Sequence, residues 1–371
     1  MAALGGTGPE PDEIEVSLFG PGKGEAVLVH VGAGEWITVD SCIEQRTQRH
    51  PVLDYLESIE VDVATQVKLV VGTHAHDDHI AGIGRLYAEA AEAQYLSSAA
   101  FTGREFFAAV KTDEDIEAQV GSSVRDEIRG VMEEVASRGR FPDGRAPWLE
   151  AVQQRTVWQR RSSAGAADVD VVALSPSDIA VAKARANVAA GAGSVQERKR
   201  LSAGDPNEYS VALWLEVGDI RVLLGADLTI GPVGSGWQAV ADSHQPNGKA
   251  SLFKVPHHGS PNAHHEATWD DLLTESVTSV VAPFRLGVNP RPNEEDVARI
   301  VARSDRAFAT AKTKSPVPSK ETKRTRAALA EVAQNVREAY GKVGQVRARK
   351  RSGEGRWRVE LLAPAHELPL A

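Results

Sequence analysis

A single cysteine in 371 residues leaves nothing to pair, so neither a disulfide scaffold nor a cysteine-built zinc finger is open to this chain. No uncharged apolar run reaches the ~18 residues that a membrane-spanning helix needs. The N-terminus, MAALGGTGPEPDE, carries acids where a secretory signal would place a basic stretch and then an apolar one. No internal repeat of fixed period is present. With 42% apolar and 25% charged residues the chain is too apolar for disorder, and it is long enough for one large α/β domain or two ordinary ones. A soluble, cytoplasmic protein with no membrane contact is the expectation.

Charge is unevenly spread. The formal net charge is −9, yet Lys312 to Arg358 holds 14 Lys/Arg against 4 Asp/Glu, a local +10 that leaves −19 on the rest. A basic C-terminal region on an acidic body suits an anionic partner, with DNA or RNA the polymers to consider; a solvated helix and hairpin would give the same composition. In VRARKRSGEGRWRVELL basic and apolar residues alternate, so a hairpin there would set a positive face beside Trp357, available to stack on a base.

Along the chain, residues 1–13 read as a flexible leader rich in Gly, Pro and acids. IEVSLFG, EAVLVHV and WITVD, separated by glycine-rich turns, read as an antiparallel meander. A helical stretch from Pro51 to Glu60 precedes VKLVVGT, a short apolar run typical of a strand buried on both faces. IAGIGRLYAEAAEAQYL then looks like a helix, and residues 97–165 like a helical insertion, a lid or a docking surface for a protein partner. Strands resume with DVDVVALSP. YSVALWLEV and IRVLLGAD form a hairpin over Gly218-Asp219. After SLFKVPHHG come a helix near Ala267–Glu275, the strand VTSVVAPF, a helix near Asn293–Ser304, a basic helix near Lys320–Tyr340 and a last hairpin.

Five of the eleven histidines fall in two clusters, His74/His76/His79 and His257/His258, each directly after an apolar strand. Loops leaving the C-terminal ends of buried strands converge on one sheet edge, where α/β folds place their sites. A His-x-His alone is an ordinary surface loop. Here it extends to His-x-His-x-Asp-His, with Asp78 inside it, and imidazole plus carboxylate without thiolate suits zinc, manganese or iron. The four remaining C-terminal histidines, His244, His264, His265 and His366, read as surface residues, and Cys42 as a buried structural thiol.

On these residues the chain resembles the metallo-β-lactamase superfold of hydrolases. WITVDSC with Asp40 looks like the family's early Asp motif, His74-Ala-His-Asp-Asp-His79 like its signature loop, and Asp227 in LLGAD like its bridging carboxylate. Within the family the sequence is most similar to the soluble hydrolase domain of ComEC-type competence proteins, through GPGKGEAV, Asn207-Glu-Tyr-Ser210 and LFKVPHHGS. The resemblance implies a four-layer αββα sandwich over residues 14–311, carrying the insertion, with residues 312–371 as a basic C-terminal extension. It also implies hydrolysis of an ester, amide or phosphodiester. The family's further metal-binding histidine has no counterpart, since no histidine occurs from Ile80 to Ala226, and Asn207 or Ser210 could take part of its place. Arg291 stands where the subgroup has a histidine, and an arginine there could hold a phosphate.

The chemistry of the set assigns roles. Two divalent ions, zinc or manganese, sharing one carboxylate would acidify a water to near neutrality. Asp227 is the expected bridge, His74 and His76 the ligands of one ion, and Asp78, His79 and one of His257/His258 those of the other. The remaining histidine of that pair would face substrate or protonate the leaving group. Asp40 buttresses the loop rather than ligating. Asn207, Ser210 and Arg291 are the expected substrate contacts. A phosphodiesterase or nuclease is the preferred activity, with a small-molecule ester hydrolase or a metal-stabilised binding module as alternatives.

Overall fold

The structure is a computed structural model that describes residues 7–22, 24–100, 122–162, 166–191, 206–285, 290–313 and 342–369. The expected meander is present as β1 (Glu13–Gly22), β2 (Gly24–His30) and β3 (Trp36–Val39), antiparallel throughout. Next come β4 (Val67–Gly72), β5 (Gln94–Ser98) and β6 (Trp148–Ala151), which extend the same sheet in parallel. A second sheet begins with β7 (Arg155–Arg160), β8 (Val169–Ala173), β9 (Leu213–Val217) and β10 (Ile220–Leu224), all antiparallel. It continues in parallel through β11 (Ala250–Lys254), β12 (Leu273–Val281) and β13 (Arg306–Ala309). The C-terminal strands β14 (Gly344–Arg351) and β15 (Arg358–Leu362) return to the first sheet, and β16 (His366–Glu367) to the second. The strand orders are β15-β14-β1-β2-β3-β4-β5-β6 and β16-β13-β12-β11-β10-β9-β8-β7.

Three apolar layers follow from strand alternation. On β4, Leu69 and Val71 point between the sheets and Val70 to the helix layer, which is why a continuous apolar run was needed there; Val67, at the register shift that opens the strand, also joins the helix layer. The inter-sheet core joins Val16, Leu18, Val27 and Val29 to Leu213, Leu215, Val222 and Leu252. Outside the first sheet lie the helices Pro51–Ser58, Ile83–Glu89 and Ser122–Arg138. Outside the second lie Gly236–Ser243, the turn Thr268–Leu272 and Glu294–Ala302. This is the αββα sandwich expected of the sequence.

Several local expectations are corrected. The helix after the histidine loop stops at Glu89, and Gln94–Ser98 is a strand, because Arg138 binds the carbonyls of Tyr87, Ala90 and Ala93 and so closes the helix end. The stretch 97–165 is helical over Ser122–Arg138, but β6 and β7 supply an edge strand to each sheet. That helix is packed into the fold: Glu127 accepts from the backbone of Gly82 and Gly84 at 2.8 and 3.0 Å. Residues 101–121 lie outside the described residues. In place of a helix over Ala267–Glu275 there is the single turn Thr268–Leu272, followed directly by β12. His244, expected at the surface, is buried against Trp214.

The C-terminal hairpin is not an appendage. β14 pairs along β1 from Glu13↔Arg351 to Gly20↔Gly344, so Arg351 and Arg349 stand opposite Glu13 and Glu15 of β1. Arg349 pairs with Glu15 at 2.8 Å, Arg347 with Glu360 at 2.8 Å, Arg351 with Asp12 at 3.3 Å, Arg356 with Asp305 at 3.2 Å, and Arg358 with Glu13. Trp357, expected to be available for stacking, is 3% exposed in the inter-sheet core and donates its indole N–H to Ser251 Oγ. The basic helix near Lys320–Tyr340 lies outside the described residues.

Two buried histidines give the fold a pH dependence. Burial holds His30 and His50 down to about 4 from an ordinary 6.5, and Arg85 adds to the effect on His50. The unfolded chain takes these protons near pH 6.5 and the folded protein only near pH 4, so their stabilisation is complete above pH 6.5 and is lost as pH falls towards 4. The loss is at most about 3 kcal/mol for each. Chemical denaturation between pH 7 and 4 should show this decline, and His50→Gln should flatten it.

Candidate metal centre

Both sheets end their parallel strands at the same place. β3 leads into Asp40 and β4 into Thr73 and the loop His74–His79; from the other sheet β10 leads into Asp227 and β11 into His257-His258. Asp40, Ala226, His257 and His258 all have left-handed backbone, with φ of 60°, 44°, 46° and 53°. Non-glycine residues adopt this at a cost that surrounding packing must impose, and such residues gather at functional sites.

The donor atoms meet across the seam between the sheets. His79 Nε2 lies 3.3 Å from Asp227 Oδ2 and 4.0 Å from Asp78 Oδ2. His258 Nε2 lies 3.3 Å from Asp78 Oδ2 and 3.4 Å from Asp227 Oδ2. The opposite ring nitrogens fix the tautomers. His79 Nδ1 faces Asp40 Oδ2 at 2.7 Å and His258 Nδ1 faces the Ala282 carbonyl at 3.0 Å; these oxygens only accept, so each Nδ1 carries a proton, and each Nε2 is the atom turned inward to the carboxylates, protonated until a cation takes its place. Asp40 also accepts from the backbone and hydroxyl of Thr73, both at 2.8 Å, which is the buttressing expected of it. His74 Nε2 lies 3.0 Å from His76 Nδ1.

A divalent cation fits these residues. His79 Nε2, His258 Nε2 and Asp227 Oδ1 are buried atoms that make no hydrogen bond, a costly state for groups shut away from water. The donors of His74, His79 and Asp227, and likewise those of Asp78, His79 and His258, lie within 4.8 Å of one another. Nitrogen and carboxylate oxygen without sulfur is the set of a borderline or hard ion such as zinc or manganese. Charge follows the same logic. Burial opposes ionisation, yet His79 and His258 hold Asp227 well below the usual carboxylate range, and the facing His258 does the same for Asp78. Against the same burial, Asp227 and Asp40 raise His79, while Asp227, Asp78 and Glu25 bring His258 up to about 8. Burial and the neighbouring His79 push His74 down.

The structure thus separates the two adjacent histidines. His258 stands among the donors, whereas His257 lies outside them, its Nδ1 2.9 Å from Asn262 Oδ1 and its Nε2 3.3 Å from Asn207 Nδ2. Two expected substrate contacts are placed elsewhere. Ser210 is fully buried and links His74 Nδ1, at 3.3 Å, to the Asp227 backbone N–H, at 3.2 Å. Arg291 gives a guanidinium nitrogen to Asp296 at 2.6 Å, at the start of the helix Glu294–Ala302. Cys42 is buried in the layer between the first sheet and its helices, and burial raises its thiol pKa.

Sequence reasoning missed Glu25 and Lys254. Both are buried beside the donors, Lys254 paired to Glu25 and 3.7 Å from Asp227 Oδ1. Burial opposes the charge on Lys254, but Glu25 and Asp227 raise its pKa, so it is a fixed cation. The available signal was a lone lysine closing an otherwise apolar strand, in SLFKVP. Gly24 explains how Glu25 gets there: its φ is 107° and a Cβ on it would lie 2.0 Å from the Asp78 carbonyl oxygen, so only glycine lets this turn press on the histidine loop.

Comparison with known proteins gives fold-level likeness alone. No family model matches the chain, and no curated protein matches it. Among solved structures it is similar to the metallo-β-lactamase fold protein YhfI from Bacillus subtilis, at 12% identity and a TM-score of 0.37, over 90% of this chain and 99% of that one. It is also similar to the dizinc quorum-quenching lactonase AidC, at 12% identity and a TM-score of 0.30, over 54% and 55% of the two chains. A metallo-β-lactamase from Hirschia baltica matches at 10% identity and a TM-score of 0.27, over 62% and 79%. Likeness this distant carries no functional argument, and the donor geometry stands by itself.

Elemental analysis of metal-reconstituted protein tests the placement of the two histidines. His258→Ala should lose bound metal and His257→Ala should keep it. The reverse pattern would contradict the geometry.

Proposed function

We propose that this protein is a metal-dependent hydrolase acting on a phosphodiester. The observation that carries the reading is the meeting of His79 Nε2, His258 Nε2, Asp78 Oδ2 and Asp227 Oδ2 in a buried cluster that spans both sheets, without hydrogen-bond partners for either imidazole nitrogen. Asp78, His79 and His258 would hold one ion, His74 and His76 a second, and Asp227 would be shared. Divalent ions there would supply Lewis acidity and a water ionised near neutral pH.

The chain's own residues complete the site. With its Nδ1 proton held by Asn262, His257 presents Nε2 at the edge of the cluster, where it would serve a leaving oxygen as proton donor once that nitrogen is protonated and turned from the Asn207 amide to the substrate. Asn207, 3.3 Å away through Nδ2, orients that ring with one amide N–H and would offer the other to a phosphoryl oxygen. The preference for a phosphodiester rests on the sequence resemblance. A small phosphodiester is favoured over a polymer by one observation: the arginines of the C-terminal hairpin are paired with acids and Trp357 is in the core. A nucleic-acid substrate would then depend on the basic residues between Lys320 and Arg337.

The test is a substrate panel with zinc- or manganese-loaded protein: bis(p-nitrophenyl) phosphate, a cyclic nucleotide, single-stranded DNA and a lactone. Phosphodiester turnover should vanish with a chelator, and His257→Ala should lower kcat by roughly 10²- to 10⁴-fold while metal is retained. Turnover of the lactone alone would overturn the phosphodiester assignment. A fully loaded protein that turns over nothing would support the binding-module alternative.

A further inference from the structure

Lys254 and Glu25 belong to different sheets. Lys254 is the last residue of β11 and Glu25 the second of β2, and their side chains form an ion pair beneath the metal-ligand candidates, both within 2% of full burial. The Lys254 ammonium also donates to the Ala226 carbonyl at 2.8 Å and lies 3.7 Å from Asp227 Oδ1. Glu25 in turn reaches behind both inward-facing imidazoles: Oε2 lies 3.5 Å from His258 Nδ1, and Oε1 lies 3.9 Å from His79 Nδ1. One pair therefore touches the two sheets and three of the candidate ligands at once.

A buried ion pair is poor evidence for stability, because uncharged groups of similar volume usually serve a core as well or better. Its placement here has a different consequence. Glu25, Asp40, Asp78 and Asp227 are four buried or nearly buried carboxylates around His79 and His258, drawn from both sheets. Like charges so close repel, and the repulsion acts across the seam on which the centre depends. Lys254 is a cation supplied by the chain itself at that seam. It faces Asp227 from the Oδ1 side, while Oδ2 is the oxygen that faces His79 and His258.

We propose that the Lys254–Glu25 pair is a positioning device: it holds the two sheets together at the floor of the centre and aims Asp227 Oδ2 at the histidines, so that the ligand set is assembled before metal arrives. This rests on the metal-centre reading above. A lysine acting only as a nearby charge would have the opposite effect on metal affinity, since its removal would relieve repulsion of a divalent ion.

The test is a zinc titration against a chromophoric chelator, on metal-free wild type, Lys254→Met, and the charge-neutral pair Lys254→Met with Glu25→Gln. Circular dichroism checks the fold of each with and without zinc. Both variants are expected to bind zinc roughly 10- to 100-fold more weakly, the usual effect of losing a group that orients metal ligands. Unchanged or tighter binding in a folded variant would overturn the proposal. Variants unfolded with and without zinc would also overturn it, assigning the pair to the core. Wild type that binds no zinc or manganese would refute the metal-centre reading itself, a result distinct from either.

Discussion

Everything chemical in this protein depends on the packing of one sheet against the other. His74, His76, Asp78 and His79 come from the first sheet, and Asp227 and His258 from the second, so these donor groups meet only where the inter-sheet core has fixed their separation. That core is made of alternating strand residues such as Val27, Val29, Leu215 and Val222, whose burial at ~25 cal/mol per Å² of apolar surface supplies the closing force. Against it works the charge gathered at the strand ends. The arrangement is stable because imidazoles, the Thr73 donors and the Lys254 ammonium face the carboxylates at short range.

The seam explains the unusual backbone as well. Residues 40, 226, 257 and 258 lie just beyond strand ends, where the chain has to turn away from a parallel pairing within a few residues. A left-handed step achieves that turn and points the following or bearing side chain back over the sheet edge. The hydrogen bond from Gly225 N to the Lys254 carbonyl at 3.1 Å, and that from His257 N to the Ala226 carbonyl at 3.0 Å, tie the two turns of the second sheet to each other. Asp227 and His258 are thus positioned by adjacent, mutually bonded loops, which suits a pair of ligands that face one point.

Much of the centre was legible in the sequence because its signals are local. His74-Ala-His-Asp-Asp-His79 after VKLVVGT, and His257-His258 after SLFKVP, place their residues through strand position alone, and Asp227 follows from its place at the end of β10. What was not legible involves contacts distant in sequence. That His258 and not His257 joins the donors follows from a left-handed turn and from the Ala282 carbonyl, 24 residues on. Ser210 reads as a turn residue until its hydroxyl is found between His74 and the Asp227 backbone. Glu25 is an unremarked acid in a glycine-rich turn until Gly24 lets that turn press on Asp78 and Glu25 meets Lys254.

The C-terminal hairpin shows where part of the basic C-terminal segment's positive charge is spent. Six arginines and lysines between Arg347 and Arg358 suggested a phosphate-binding face, but β14 lies beside β1, whose Glu13 and Glu15 occupy the register positions opposite Arg351 and Arg349. Residues 334 positions apart in sequence thereby neutralise each other, and the aromatic ring that could have stacked on a base instead closes the inter-sheet core. A local excess of one sign speaks for an external ligand only after the strand neighbours have been counted. For Arg349 and Arg358 those neighbours are Glu15 and Glu13 of the protein's own first strand, and the same strand leads through Gly24 to Glu25, so part of the C-terminal charge and the candidate metal centre are held by one meander.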